Sequence, residues 1–279
     1  MILEHVAKCI DEVYNEVLES PSVEIQNWIH KIENDLNQED MYAVMKKSIL
    51  TTLTFMMSQG IFDDEFFEST LIQNIEFVAQ HIPEMKKSMI LKIKLDELGD
   101  QIYRIIKVPY AIILADLSYL ILASMNADGS HLFTVEMSER GRFGCDGCDE
   151  EFIDEYAVDV TIPELAIQKG DYFDLNYDLG DNYLFEIEVL DIEENESVQS
   201  IEDVEIIDGA GYGIWEDQHD LLDLYFDDRQ SFFETIAQYG LTESDFVLEE
   251  FDVNTYNEML IEDFEYLKTV YEMPEVLEM

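Results

Sequence analysis

The chain has 279 residues, 47% of them hydrophobic, enough for one large core or two modest ones. Its 64 acidic residues against 15 basic ones give a formal charge of −49. Such a field repels nucleic acid, anionic lipid and phosphorylated substrates, whose binding requires cations that displace counterions. It favours basic grooves of other proteins and divalent cations instead. The longest apolar run, 110–125, is interrupted by Asp116 and falls short of the roughly 18 residues of a membrane span. The start MILEHVAKCIDE lacks the basic region and cleavage site of a secretory signal, and three cysteines are an odd number for a disulfide framework. The expectation is a soluble cytoplasmic protein with no membrane contact. Adaptation to salt or plain solubility is the bland account of the charge.

Four helices are expected over residues 1–85. Val6, Ile10, Val13, Val17 and Leu18 recur at helical spacing until Ser20-Pro21-Ser22. A second helix covers 23–36. The third, 40–58, is apolar almost all round and therefore central, and Gly60 breaks it. The fourth, 63–80, is closed by Pro83. Met41, Met45, Met56 and Met57 read as bundle core or as an adaptable partner surface. A boundary falls near 83–88, so the domains are a helical 1–85 and an acidic 86–279.

From Ser88 the period changes to two: Met89, Leu91, Ile93 and Leu95 alternate with Ile90, Lys92 and Lys94, a strand. A turn at 96–100 leads to a second strand, 102–108, stopped by Pro109. A helix over 114–125, the turn Asn126-Ala127-Asp128-Gly129 and a third strand over 131–137 follow. A loop with Gly and Cys precedes an extended piece at 156–160. Residues 171–191, DYFDLNYDLGDNYLFEIEVLD, alternate on both sides of Leu179-Gly180-Asp181-Asn182, a β-hairpin. A polar connection, a short strand over 204–207 and helices over 217–227, 229–239, 243–250 and 255–271 complete the chain. The fold class is α+β, a mostly antiparallel sheet with packed helices, preceded by the helical N-terminal domain.

Three ordered segments carry a family resemblance. Ile102-Tyr103-Arg104-Ile105-Ile106-Lys107-Val108-Pro109, with Leu114-Ala115-Asp116-Leu117 and Ala123-Ser124-Met125 behind it, is similar to a W-R-R-x-x-V-P strand and its following helix. Asp128-Gly129-Ser130-His131-Leu132-Phe133 is similar to an H-L-Y-x-F strand. Tyr177-Asp178-Leu179-Gly180-Asp181-Asn182-Tyr183 is similar to a Y-D-F-G-D-x-W hairpin, and Gly209-Ala210-Gly211-Tyr212-Gly213 is a looser fourth match. Over about 88–228 the chain resembles the plasmid pRiA4b ORF-3-like family, also called the transposon passenger TnpR family. The resemblance implies a compact α+β fold of mostly antiparallel strands and no established activity. Tyr103 and Tyr183 stand where the family usually has Trp, and Phe185 where His is frequent. The family's Cys- and Pro-rich segment before the Gly turn is missing, so no ligand role of that segment carries over. A resolvase needs a basic DNA-binding surface and an activated nucleophile. With only Lys169, Arg229 and Lys268 against 41 acids in residues 143–279, recombinase activity is not expected.

No nucleophile elbow, phosphate loop, dinucleotide fingerprint or H-E-x-x-H occurs, so no catalytic residue is assigned. Cys145-Asp146-Gly147-Cys148 is a single C-x-x-C. A structural zinc would need His131 and His219 to converge on Cys145 and Cys148, and a redox pair lacks its usual βαβ setting. The hairpin misses the calcium-loop pattern, with Gly180 and Glu186 one position late. Asp178 and Asp181 flank Gly180, where Asp commonly satisfies turn N–H groups; a ligand site, if present, is expected near Arg104, His131, Asp178 and Asp181.

The leading expectation is a non-enzymatic acidic protein from a mobile element that mimics nucleic acid. It would occupy the cationic groove of a basic protein such as a nucleic-acid-binding enzyme, without touching nucleic acid directly. Its contact residues would be Asp146, Asp149, Glu150, Glu151, Asp154, Glu155, Glu193, Glu194, Glu196, Glu216, Asp217, Asp220, Asp227 and Asp228. The alternative is a small-ligand or metal-binding protein, or an unrecognised enzyme, with its site beside the 171–191 hairpin.

Overall fold

A computed structural model describes residues 87–180, 182–194, 198, 200–246 and 251–272, with Ser48, Ile49, Thr52, Phe67, Thr70, Leu71, Gln73 and Asn74 from the N-terminal part. The chain divides into two compact units, Met1–Pro83 and Glu84–Met279. In the first, Ser48, Ile49 and Thr52 are helical and buried, and the Thr52 hydroxyl donates to the Ser48 carbonyl one turn back. Asn74 donates to Thr52 Oγ1 at 2.8 Å. Apart from such residues, the four expected helices lie outside the described residues.

The second unit is α+β. Among the described residues eight strands form one sheet in the order β5-β4-β3-β6-β7-β1-β2-β8. They are β1 (Lys87–Leu95), β2 (Gly99–Pro109), β3 (Phe133–Met137), β4 (Gly141–Gly144), β5 (Glu155–Tyr156), β6 (Tyr172–Tyr177), β7 (Tyr183–Glu194) and β8 (Glu205–Ala210). Every pairing is antiparallel except β4 with β5. The helices are α1 (Leu114–Ser124), α2 (His219–Asp227), α3 (Arg229–Gln238) and α4 (Val253–Glu272).

The period-two pattern decides which face is covered. Met89, Leu91, Ile93, Phe173, Leu175, Phe185, Ile187 and Val189 point into the core, while Lys92, Lys94, Asp174, Asn176, Glu186 and Glu188 line the other face, as suits a sheet packed on one side. Register then pairs charges across strands: Lys94 lies opposite Glu186 and bonds it at 2.8 Å. On the covered side α1 is buried along almost its whole length and α4 packs on it. Tyr119 stacks on Tyr271 at 5.3 Å, and Lys268 meets Asp116 at 2.6 Å. The amide of Asn257 on α4 accepts from Ile206 N at 2.7 Å and donates to Ile206 O at 2.9 Å.

The structure corrects the expected elements in three places. The Gly- and Cys-containing stretch after β3 is not all loop, because Gly141–Gly144 pairs back on β3 as β4. The extended piece at 156–160 is a two-residue strand and a 3-10 turn, Ala157–Asp159; Val158, which the alternation would bury, is 39% exposed. Of the helix expected at 243–250, the described part is a 3-10 turn, Glu243–Asp245.

Arg104 departs furthest from expectation. It projects from β2 with no exposed surface. Its guanidinium donates to the carbonyls of Ser124 at the end of α1, Tyr103, Ala210, Gly211 and Tyr212, at 2.7–2.9 Å. Those bonds use all the donors an Arg has. The rings of Phe251 and Tyr256 cover it at 4.4 and 4.6 Å, a cation–π contact made stronger by desolvation. Burial lowers its pKa to about 10, so it stays protonated at neutral pH. The Gly-rich turn follows from this packing. A Cβ on Gly209 would stand 3.0 Å from Arg104 Cδ, and one on Gly213 only 2.2 Å from the Met125 carbonyl oxygen.

Lys offers three donors and no planar face to stack. Arg104→Lys should therefore lower unfolding free energy by about 3 kcal/mol or more, since buried carbonyls lose their partners. Urea denaturation followed by tryptophan fluorescence checks this; a change below about 1 kcal/mol would mean the carbonyls find water instead.

Candidate functional site

The hairpin of β6 and β7 closes through Asp178, which takes φ +54, a conformation Asp tolerates better than most residues. Its Oδ1 accepts from Gly180 N at 3.0 Å, and its carbonyl accepts from Asn182 N at 2.6 Å. Asp178 N donates to Leu132 O, which ties the turn to the residues entering β3. That tie brings His131 to the carboxylate, with Nδ1 3.5 Å from Asp178 Oδ1.

Two further carboxylates arrive from the segment between β8 and α2. Asp217 Oδ1 lies 3.1 Å and Glu216 Oε2 3.9 Å from His131 Nε2. Glu216 Oε1 is occupied, accepting from Asp128 N at 2.7 Å and from the Tyr177 hydroxyl at 3.0 Å. Glu216 Oε2 and His131 Nε2, in contrast, are buried atoms without a hydrogen-bond partner; Asp217 is near the nitrogen but not aligned for a bond. Burial raises the Glu216 pKa, and the Asp128 charge adds to the rise against the bonds that lower it. The Tyr177 ring stands edge-on to His131 at 5.7 Å.

A second cluster lies along the same segment. Glu97, from the β1–β2 turn, meets His219 and Asp223 of α2 with ligand atoms within 4.8 Å of one another. Tyr183 joins the two neighbourhoods: its ring is edge-on to His219 at 4.7 Å, and its hydroxyl donates to the Trp215 carbonyl beside Glu216. His219 and Asp223 are four apart in a helix and share a face, the one sequence signal that could have found this cluster.

The residues expected at a ligand site therefore separate. His131 and Asp178 come together, Arg104 serves the core, and Asp181 lies outside the described residues. Asp178 satisfies the turn N–H group of Gly180, the bland role expected of it. Neither His131 nor His219 joins Cys145 and Cys148: among the described residues, each histidine groups with carboxylates alone. The cysteines are free thiols 3.7 Å apart.

Several acids expected at a partner surface have structural work. Asp228 caps α3 by accepting from Gln230 N and Ser231 N, Asp154 accepts from Arg142 N, Asp149 accepts from Glu151 N, and Glu193 pairs with Lys107 at 3.0 Å. Asp146, Glu150, Glu151, Glu155, Glu194, Asp220 and Asp227 are exposed, and Glu196 lies outside the described residues. No described helix is long and apolar enough to cross a membrane.

Asp223 has its pKa raised to about 6 by burial and by a hydrogen bond shared with Glu97. A raised carboxylate stabilises the fold below its ordinary value of 3.8, and the contribution is lost as pH rises through about 6. Asp223→Asn should thus stabilise the protein at pH 7, by less than about 1 kcal/mol because solvent screens the half-buried group. It should also flatten the stability gradient between pH 4 and 6. Chemical denaturation of both proteins across that window measures the difference.

Residues 87–255 match the family described as plasmid pRiA4b ORF-3-like protein. No curated protein matches the chain. One similar solved structure is a protein of unknown function, MM3350, from Methanosarcina mazei Go1. It is 22% identical with a TM-score of 0.48, the match covering 60% of this chain and 95% of that one. With the family match spanning more than half of its length, the chain belongs to the plasmid pRiA4b ORF-3-like family.

Proposed function

We propose that the α+β unit binds a first-row divalent cation at the hairpin, through His131 Nε2, Glu216 and Asp217, with Asp178 orienting the imidazole. The observation that carries this reading is the facing pair of buried, unpartnered atoms, His131 Nε2 and Glu216 Oε2, with Asp217 Oδ1 beside them. A ring nitrogen without a proton would present its lone pair to two anionic groups, an arrangement that a cation between them turns from repulsive to attractive. Imidazole with carboxylates suits zinc, manganese or iron(II) rather than soft copper(I). Asp178, 3.5 Å from Nδ1, would serve as the outer carboxylate that fixes the tautomer of a metal-bound histidine. The surrounding charge of −49 raises the local concentration of such ions.

Zinc or manganese titration of the chelator-treated full chain by calorimetry tests the site. Asp178→Asn keeps the turn, because Asn also accepts from Gly180 N and tolerates positive φ. It should weaken binding about tenfold, and His131→Ala should abolish the tight phase. Asp223→Asn serves as control for the neighbouring cluster and should leave that phase unchanged. Equal binding by wild type, Asp178→Asn and His131→Ala would reduce the signal to ions condensed on the acidic surface and sink the proposal.

A second reading, docking to a basic nucleic-acid-binding protein, draws on the pairing of charge. Among the described residues every lysine and arginine is engaged by a carboxylate, an aromatic ring or carbonyls. The net field is therefore that of the remaining acids. The segment Asp146–Glu155 adds Phe152, 67% exposed amid Asp149, Glu150, Glu151 and Asp154. Proteins retained from a lysate of the source organism and then released by short duplex DNA would favour mimicry. Release by salt but not by DNA would argue for a different electrostatic partner.

A further inference from the structure

The C-x-x-C lies in a tight turn at the end of β4. Cys148 N donates to the Cys145 carbonyl at 3.2 Å and Gly147 takes φ +91, the third-position glycine of a type II turn. Such a turn holds its end Cα atoms within about 7 Å, the reach of a disulfide. The two sulfurs are 3.7 Å apart, so small side-chain rotations would bring them to bonding distance.

The surroundings hold this pair in place. Phe133 N donates to Cys145 Sγ at 3.2 Å, and the Cys148 thiol donates to Phe133 O at 3.4 Å. Gly144 leaves the room: a Cβ there would stand 2.9 Å from Cys148 Cβ and 3.0 Å from its sulfur. The two thiols differ. Cys145 is 1% exposed and Cys148 8%. The hydrogen bond between the two sulfurs holds the Cys148 thiol below its ordinary range, and the same bond with burial pushes Cys145 up. The thiolate is the reactive form, so Cys148, the less buried of the two thiols, is the nucleophilic sulfur. Exposed Asp146, Asp149, Glu150 and Glu151 surround the turn, and their charge opposes large anionic disulfides more than a small neutral oxidant.

We infer that Cys145 and Cys148 form a peroxide-reactive dithiol site, with Cys148 attacking and Cys145 resolving. The Cys148 thiolate attacks one oxygen of hydrogen peroxide. The O–O bond breaks, hydroxide leaves and takes a proton to become water, and Cys148 becomes the sulfenic acid. Cys145 sulfur then attacks Cys148 sulfur; the S–S bond forms, the S–O bond breaks, and the departing hydroxide takes the Cys145 proton as water. The two thiols lose two electrons between them, and one peroxide becomes two waters.

The test uses the full reduced chain and hydrogen peroxide, read by intact mass and by peptide mapping, which separates Cys9. Wild type should lose two thiol hydrogens and yield a linked Cys145–Cys148 peptide. Cys145→Ser should trap the sulfenic acid on Cys148 as its dimedone adduct. Cys148→Ser should slow oxidation of the remaining turn thiol about tenfold or more. Gly144→Ala, which intrudes on Cys148 without removing a thiol, should slow disulfide formation while circular dichroism stays unchanged. The inference is overturned if Cys145 reacts first, if wild type and Cys148→Ser react at equal rates, or if Cys148 proceeds to sulfinic acid with Cys145 still free.

Discussion

The second unit is organised around one cation that has no anion. Arg104 is buried in a chain with more than four acidic residues for every basic one, yet its partners are five carbonyls and two aromatic rings. A carboxylate there would have brought its own desolvation cost, whereas the carbonyls had to be satisfied in any case. The guanidinium gathers the end of α1, its own strand and the turn after β8 onto a single rigid fork. The turn then leads directly to Trp215, Glu216 and Asp217. Placement of the carboxylates at His131 thus depends on a side chain that does not belong to their cluster.

How much of this was legible in the sequence follows from the range of each interaction. The β1, β2 and β6–β7 patterns were readable because alternation is local and the sheet has one covered face. β4 and β5 were not, since pairing rather than pattern makes a four-residue and a two-residue strand. His131 and Asp178 could be placed together through the family resemblance. Their carboxylate partners could not, because Glu216 and Asp217 lie nearly forty residues further on and look like any other acids in an acidic chain. Arg104 was expected beside the hairpin, and it went elsewhere for a physical reason: nothing local shows that backbone oxygens will take all its donors.

Acidic composition also conceals a division of labour. Asp228 at a helix start, Asp149 and Asp178 in turns, and Asp154 on a strand N–H satisfy backbone donors. Their count inflates any estimate of the surface available to a partner. Glu216, facing His131, is different because it is costly where it sits: burial holds its carboxyl above the ordinary range. Positions where the fold pays such a cost are the reasonable places to look for chemistry.

The Asn257 amide on α4 meets Ile206 of β8 as a neighbouring peptide would, accepting from its N–H and donating to its carbonyl. It therefore stands in for a ninth strand at one lateral margin of the sheet. At the opposite margin β5 is two residues long and begins with an exposed glutamate. Lateral growth by strand addition, the usual hazard of an open sheet, meets an occupied hydrogen-bonding position on one side and a short, charged stub on the other. In so acidic a molecule, like-charge repulsion keeps copies apart at long range, and the Asn257 amide withholds a docking position at contact range.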